Sequence, residues 1–176
     1  MLDACHQLGR DKFERCIVFH SLSKRSNLPG LRSGFVAGDN RLINYFFRYR
    51  TYHGCALSIP VQKASIAAWN DENHVLQNRN LYREKFTAVS EILKGVLEFN
   101  MPSAGFYLWP KTPIDDAVFA RELYAKENLT VLPGSFISRK TDQGNPGESR
   151  IRLALVPSLS DCIDAAERIK RFTLSL

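Results

Sequence analysis

The chain has no apolar run approaching the ~20 residues of a membrane-spanning helix, so an integral membrane role is not expected. Its N-terminus, Met1 to Gln7, lacks a basic region followed by an apolar stretch, so no signal peptide is expected and the cytoplasm is the default location. Four cysteines (Cys5, Cys16, Cys55 and Cys162) lie far apart with no CxxC pair, so they read as reduced thiols, not as a disulfide framework or zinc site. The four histidines show no HExxH spacing, so no metal is expected. Internal repeats and low-complexity tracts are also missing. Acidic residues are the scarcer charge: 18 Asp and Glu stand against 24 Lys and Arg, a formal charge of +6 that favours small anions as ligands. The basic residues are spread along the chain and not gathered with aromatics, so a nucleic-acid partner is not expected.

The residues that are present suit one soluble chain with a real core: 176 residues, 44% of them hydrophobic and 24% charged. The most telling stretch runs from Ser21 to Phe35. It lies between two apolar runs, Cys16 to His20 and Phe35 to Gly38, on a turn rich in Ser, Asn, Pro and Gly. Lys24 therefore stands at the mouth of a strand. Ser21 and Ser23 precede it, and Arg32 follows eight residues later. A lysine that loses its proton attacks a carbonyl. Hydroxyls, turn amides and an arginine together hold a phosphate. A lysine that condenses with an aldehyde beside a phosphate cradle is what pyridoxal phosphate requires.

The remaining pattern predicts an α/β chain. Phe13 to Gly38 reads as strand, loop, strand, and Asp39 as the N-cap of a helix over Arg41 to Tyr49. A long helical pattern opens at Ser58-Ile59-Pro60 and continues to Leu97, with a bend at Asn70 to Asn73. Then come a strand at Phe106 to Trp109, a helix over Ile114 to Glu127, and a short strand at Leu129 to Leu132 ended by Pro133-Gly134. A polar loop from Lys140 to Glu148 leads to the strand Ile151 to Val156. Ser158 caps a final helix carrying Ile163, Ala166, Ile169 and Phe172. Arg152 interrupts an apolar strand. It reads either as a strand arginine facing solvent or a carboxylate, or as a planar fork for a substrate carboxylate.

Taken together, these segments resemble the class I/II (fold-type I) aminotransferases over essentially the whole chain. The resemblance rests on the spacing of Ser21, Ser23, Lys24 and Arg32, on the long helix, and on the ordered segments Gly105 to Trp109, Val131 to Phe136 and Arg150 to Val156. Within that family, Ser21 to Phe35, Tyr49 to Gly54 and Ala67 to Glu72 are similar to the bacterial N-succinyl-L,L-diaminopimelate aminotransferases of lysine biosynthesis. Acetylornithine- or alanine-type members stay open. The resemblance implies that Lys24 condenses with pyridoxal phosphate and moves the substrate proton. Ser21, Ser23 and Arg32 would hold the phosphate, and Arg152 the substrate α-carboxylate. Phe106 and Tyr107 would lie near the substrate, and Arg50 is a candidate for its distal carboxylate. Amino acids and 2-oxo acids would be the substrates: glutamate as donor, N-succinyl-2-amino-6-oxopimelate as acceptor. The intact enzyme would be a homodimer.

Family members are roughly twice this length. Their first half supplies most of a large parallel sheet and the aspartate that pairs with the pyridine nitrogen. The chain is therefore expected to correspond to the C-terminal half of such an enzyme. Residues 1–65 would be the end of the large-domain sheet, and 66–176 a small αβ domain. Such a piece would expose apolar surface and unpaired strand edges, and would have little activity alone. Two other readings stay open: another pyridoxal phosphate reaction, such as a β-lyase or decarboxylase, and a non-catalytic fragment that pairs with other chains.

Overall fold

The computed structural model describes residues 1–54 and 56–176; the thiol expected at Cys55 lies outside the described residues. The chain forms two compact units, Met1–Asn78 and Arg79–Leu176. The division falls inside a helix, one helix later than the expected boundary at 65/66.

In the first unit, a short helix α1 (Leu2–Gln7) precedes strand β1 (Ile17–Ser21). A single helical turn, α2 (Leu22–Arg25), and a 3₁₀ turn (Pro29–Leu31) lead to strand β2 (Gly34–Gly38). The expected loop between the strands thus contains two short helical pieces. β1 and β2 pair antiparallel, with His20 opposite Phe35 and Ser21 opposite Gly34. Glycine is required at both ends of β2: a Cβ on Gly34 would stand 2.5 Å from the His20 carbonyl oxygen, and one on Gly38 would collide with that of Cys16. Asp39 caps α3 (Asn40–Tyr52), accepting from the Arg41 N–H at 2.8 Å and reaching back to the Arg15 N–H at 2.7 Å. The Arg15 and Arg41 amides, in that order, hold its carboxyl below the ordinary value.

The long helical pattern resolves into α4 (Ile59–Asn70) and α5 (Asn73–Leu93), broken at the expected bend. Asp71 accounts for the break: its carboxylate accepts from the Asn73 N–H (2.8 Å) and pairs with His74 (2.9 Å), starting a new helix. The first unit leaves large aromatics uncovered. Phe19 is 64% exposed, Phe47 72% and Tyr52 81%. A sheet of two strands has little capacity to bury them.

The second unit holds the larger core. Strands β3 (Tyr107–Leu108), β4 (Leu132–Pro133) and β5 (Ile151–Ala154) form an antiparallel sheet in the order β3-β5-β4. Ile151 and Leu153 of β5, and Leu155 just beyond it, alternate inward onto Val89 and Leu93 of α5, Phe119 and Leu123 of α6 (Asp116–Glu127), and α7 (Leu159–Thr173). On α7 the buried stripe is Cys162, Ala166, Ile169 and Phe172; Ile163 is only half-buried. Burial pushes the Cys162 thiol pKa up, as expected of a packing cysteine. Ser158 caps α7 as expected, accepting from the Asp161 N–H at 3.2 Å. Ser158→Ala is expected to cost about 1 kcal/mol, read as a lowered urea midpoint of the second unit. No helix among the described residues is long and apolar enough to cross a membrane.

Candidate active site

The turn between β1 and β2 builds the site. Ser21 ends β1 in extended conformation (φ −142°, ψ 156°) and sits at the N-cap of α2 without its side chain capping the helix. The Leu22 amide donates to the Ser33 carbonyl at 3.1 Å, closing the turn on itself. Arg32 follows the 3₁₀ turn in the left-handed region, at φ 50°. Its amide donates to the Pro29 carbonyl at 3.3 Å and its guanidinium to the same oxygen at 3.1 Å. A non-glycine residue held at positive φ is a local backbone cost, and such costs gather at functional sites.

This folding brings Ser21, Ser23 and Arg32 to the wall of one cavity of about 520 Å³. The β-ribbon supplies Phe19, His20, Gly34 and Phe35, and α3 contributes Phe46 and Arg50. Three serines (Ser21, Ser23 and Ser33) and two arginines therefore line one space. Lys24 is not among the lining residues. It follows Ser23 on α2 and is solvent-exposed.

Behind the cavity, aromatic side chains form the support. His20 packs edge-on to Phe35 (5.7 Å between centroids), and both contact Trp69 of α4, at 5.4 and 5.1 Å. Phe19 meets Phe46 edge-on at 5.5 Å. Sequence reading did not single out His20, Phe35 or Phe46. His20 and Phe35 become neighbours only through the strand register that pairs them next to the turn, and Phe46 reaches the site from α3.

Arg152 belongs to the second unit. It is half-buried on β5 opposite Leu132, with its guanidinium 5.8 Å from the Tyr107 ring centroid. Tyr107 packs edge-on to Phe106 at 5.6 Å, so the expected substrate-side residues of this unit are neighbours.

The donor set fits pyridoxal phosphate. Arg32, Ser21 and Ser23 offer a cation and two hydroxyls to a phosphate, and Gly34 keeps the strand beside them free of a side chain. Known proteins point the same way. The model for "Aminotransferase class I and II" matches residues 3–169. A solved aminotransferase from Neisseria meningitidis Z2491 is 56% identical with a TM-score of 0.91, covering 97% of this chain and 44% of its own. The probable N-succinyldiaminopimelate aminotransferase of Thermus thermophilus is 30% identical, with a TM-score of 0.79 over 92% of this chain and 43% of its own. The curated 4-dedimethylamino-4-oxo-anhydrotetracycline transaminase OxyQ of Streptomyces rimosus is 32% identical over 154 residues, 87% of this chain and 41% of that protein. The chain thus spans about two fifths of the relatives it matches, and over that span it reproduces their mixed α/β fold. It belongs to the class I and II aminotransferases, a family dependent on pyridoxal phosphate.

Proposed function

We propose that the chain carries the cofactor-capturing lysine and phosphate-holding groups of an amino-group transferase, with glutamate as donor and N-succinyl-2-amino-6-oxopimelate as acceptor. One observation carries this reading: Ser21, Ser23 and Arg32 line a single cavity on the turn that bears Lys24. When bound, pyridoxal phosphate supplies an electron sink for the bond broken at the substrate Cα. Arg32 and the Ser21 and Ser23 hydroxyls would hold its phosphate. Lys24 would be the amine that holds the cofactor aldehyde, and its Nζ would move the substrate Cα proton. In the second unit, Arg152, beside Tyr107, would be the group for a substrate α-carboxylate. Arg50 lines the same cavity as Arg32 and suits a substrate with a second anionic group. That pattern, and the name of the Thermus relative, support an acceptor with more than one carboxylate.

The test is borohydride trapping with pyridoxal phosphate, followed by peptide mass spectrometry. An adduct concentrated on Lys24 over the exposed Lys12, Lys63 and Lys94 is the expected result. Equal labelling of all four would remove the reading. Turnover of glutamate by the isolated chain is expected to be small, because the cavity rests on a two-stranded sheet with exposed aromatics around it.

A further inference from the structure

The neighbour of Lys24 offers more than its charge suggests. α2 is a single turn, and a single turn has no stability of its own. Its direction must come from tertiary contacts. Leu22 is fully buried and Ser26, just past the helix end, is 6% exposed. Arg25, between them on the same face, keeps only 9% of its side chain exposed. Positions i, i+3 and i+4 thus form the inner face of α2, and Lys24 falls on the outer one.

A cation buried to this degree requires partners. Arg25 has a full set. Nη1 donates to the Ala68 carbonyl (3.0 Å) and the Ser26 hydroxyl (3.1 Å), and Nη2 to the Trp69 carbonyl (3.5 Å). Nη2 also pairs with the Glu72 carboxylate, and the guanidinium carbon lies 4.9 Å from the Trp69 ring centroid. Ala68 and Trp69 are in the last turn of α4, where carbonyls lack intrahelical partners and the helix dipole favours a cation. Trp69 in turn contacts His20 and Phe35, both in the cavity wall. One side chain therefore links the lysine-bearing turn, the end of α4 and the wall of the site.

We infer that Arg25 is a positioning residue for Lys24: its fork on the α4 carbonyls sets the rotation of α2 and so the presentation of the lysine amine beside the cavity. The inference rests on the reading of Lys24 as the cofactor-capturing residue. The step it serves balances simply. Nζ adds to the aldehyde carbon, water leaves, and in the trapping assay borohydride delivers hydride to the resulting C=N carbon while solvent supplies the proton at nitrogen.

The experiment compares the whole chain with Arg25→Gln, Arg25→Lys and Glu72→Gln. Each is titrated with pyridoxal phosphate and, separately, with phosphate-free pyridoxal, then reduced; circular dichroism confirms folding. Half-trapping at Lys24 is expected to need about tenfold more of either aldehyde in Arg25→Gln, with labelling of Lys63 unchanged. Arg25→Lys keeps a cation on Trp69 and Glu72 but reaches one carbonyl at a time, so an intermediate rise of about threefold is expected. Glu72→Gln, altered at the exposed end of the pair, is expected to stay within about twofold. A merely structural arginine would lower the melting temperature and leave the Lys24-to-Lys63 labelling ratio of the folded chain unchanged. That result in Arg25→Gln overturns the inference, and if Arg25→Gln does not fold, the same result in Arg25→Lys does so. Failure of the unaltered chain to label Lys24 selectively would instead remove the functional reading, and this inference with it.

Discussion

Arg32→Ala raises the pyridoxal phosphate concentration that half-traps Lys24 by roughly thirtyfold. The expectation follows from the turn. Arg32 is held at φ 50° after the preceding 3₁₀ turn, and it lines the cavity with Ser21 and Ser23. A hydrogen bond to a charged partner contributes about 1.5–3 kcal/mol, and about 2 kcal/mol corresponds to roughly thirtyfold in binding. Alanine at φ 50° carries the same left-handed backbone cost as arginine, so the comparison isolates the side chain. Phosphate-free pyridoxal separates this effect from that of Arg25: Arg32→Ala leaves its trapping at Lys24 near the unaltered level, whereas Arg25→Gln weakens it. Equal losses with both aldehydes in Arg32→Ala would assign the arginine to the integrity of the turn and not to the phosphate.

Asp116→Ala is expected to destabilise the second unit by about 3 kcal/mol, the upper end for a buried polar partner lost. Asp116 opens α6 with its side chain buried at 1% exposure. Its carboxylate accepts from the Ser135 N–H at 2.8 Å and the Ser149 N–H at 3.3 Å, joining two loops to the helix start. Those loops touch so closely that a Cβ on Gly134 would collide with the Gly147 carbonyl. Without the carboxylate, two amides lose their acceptor inside the packing.

The pH dependence has a definite sign. Burial works against ionisation of Asp116, yet the Ser135 side chain and amide, its own amide and the Ser149 amide outweigh it. The net effect places its pKa below the ordinary 3.8. Stabilisation by a lowered carboxylate is complete above the unfolded pKa and is lost as pH falls through the folded one. The Asp116 contribution is therefore expected to be constant above about pH 4–5 and to disappear below pH 3.8 toward the folded pKa. Asp116→Asn removes this part of the acid slope. Urea denaturation of the second unit at several acidic pH values measures both effects, and an unchanged slope in Asp116→Asn would assign the acid sensitivity to other carboxylates.

Much of this molecule was legible in residue order because it depends on local chemistry. Asp39 and Ser158 identified helix starts, since capping is settled within three or four residues of the cap. The bend near Asp71 was visible in its polar run. The turn around Lys24 was visible as strand, polar turn, strand, because spacing within one turn limits which side chains share a cavity. Strand limits were less legible. Leu129 to Leu132 reads as a strand by composition, but the ladder forms at Leu132–Pro133, where β5 offers partners. A ladder is a property of two segments, and one segment does not state its register.

The sequence by itself determined the family and the cofactor class, because Lys24, its neighbouring hydroxyls and Arg32, followed in order by the later segments, resemble one family. Tertiary structure alone decided that Arg25 folds back onto the end of α4, that Arg50 on α3 reaches the same cavity as Arg32, and that Asp116 binds amides from two distant loops. The bonds of Asp116 to the two loops and of Arg25 to the end of α4 and Glu72 span 19 to 47 residues. Over such distances the pairing is set by which helix and loop ends the hydrophobic cores bring together, and no local pattern records that.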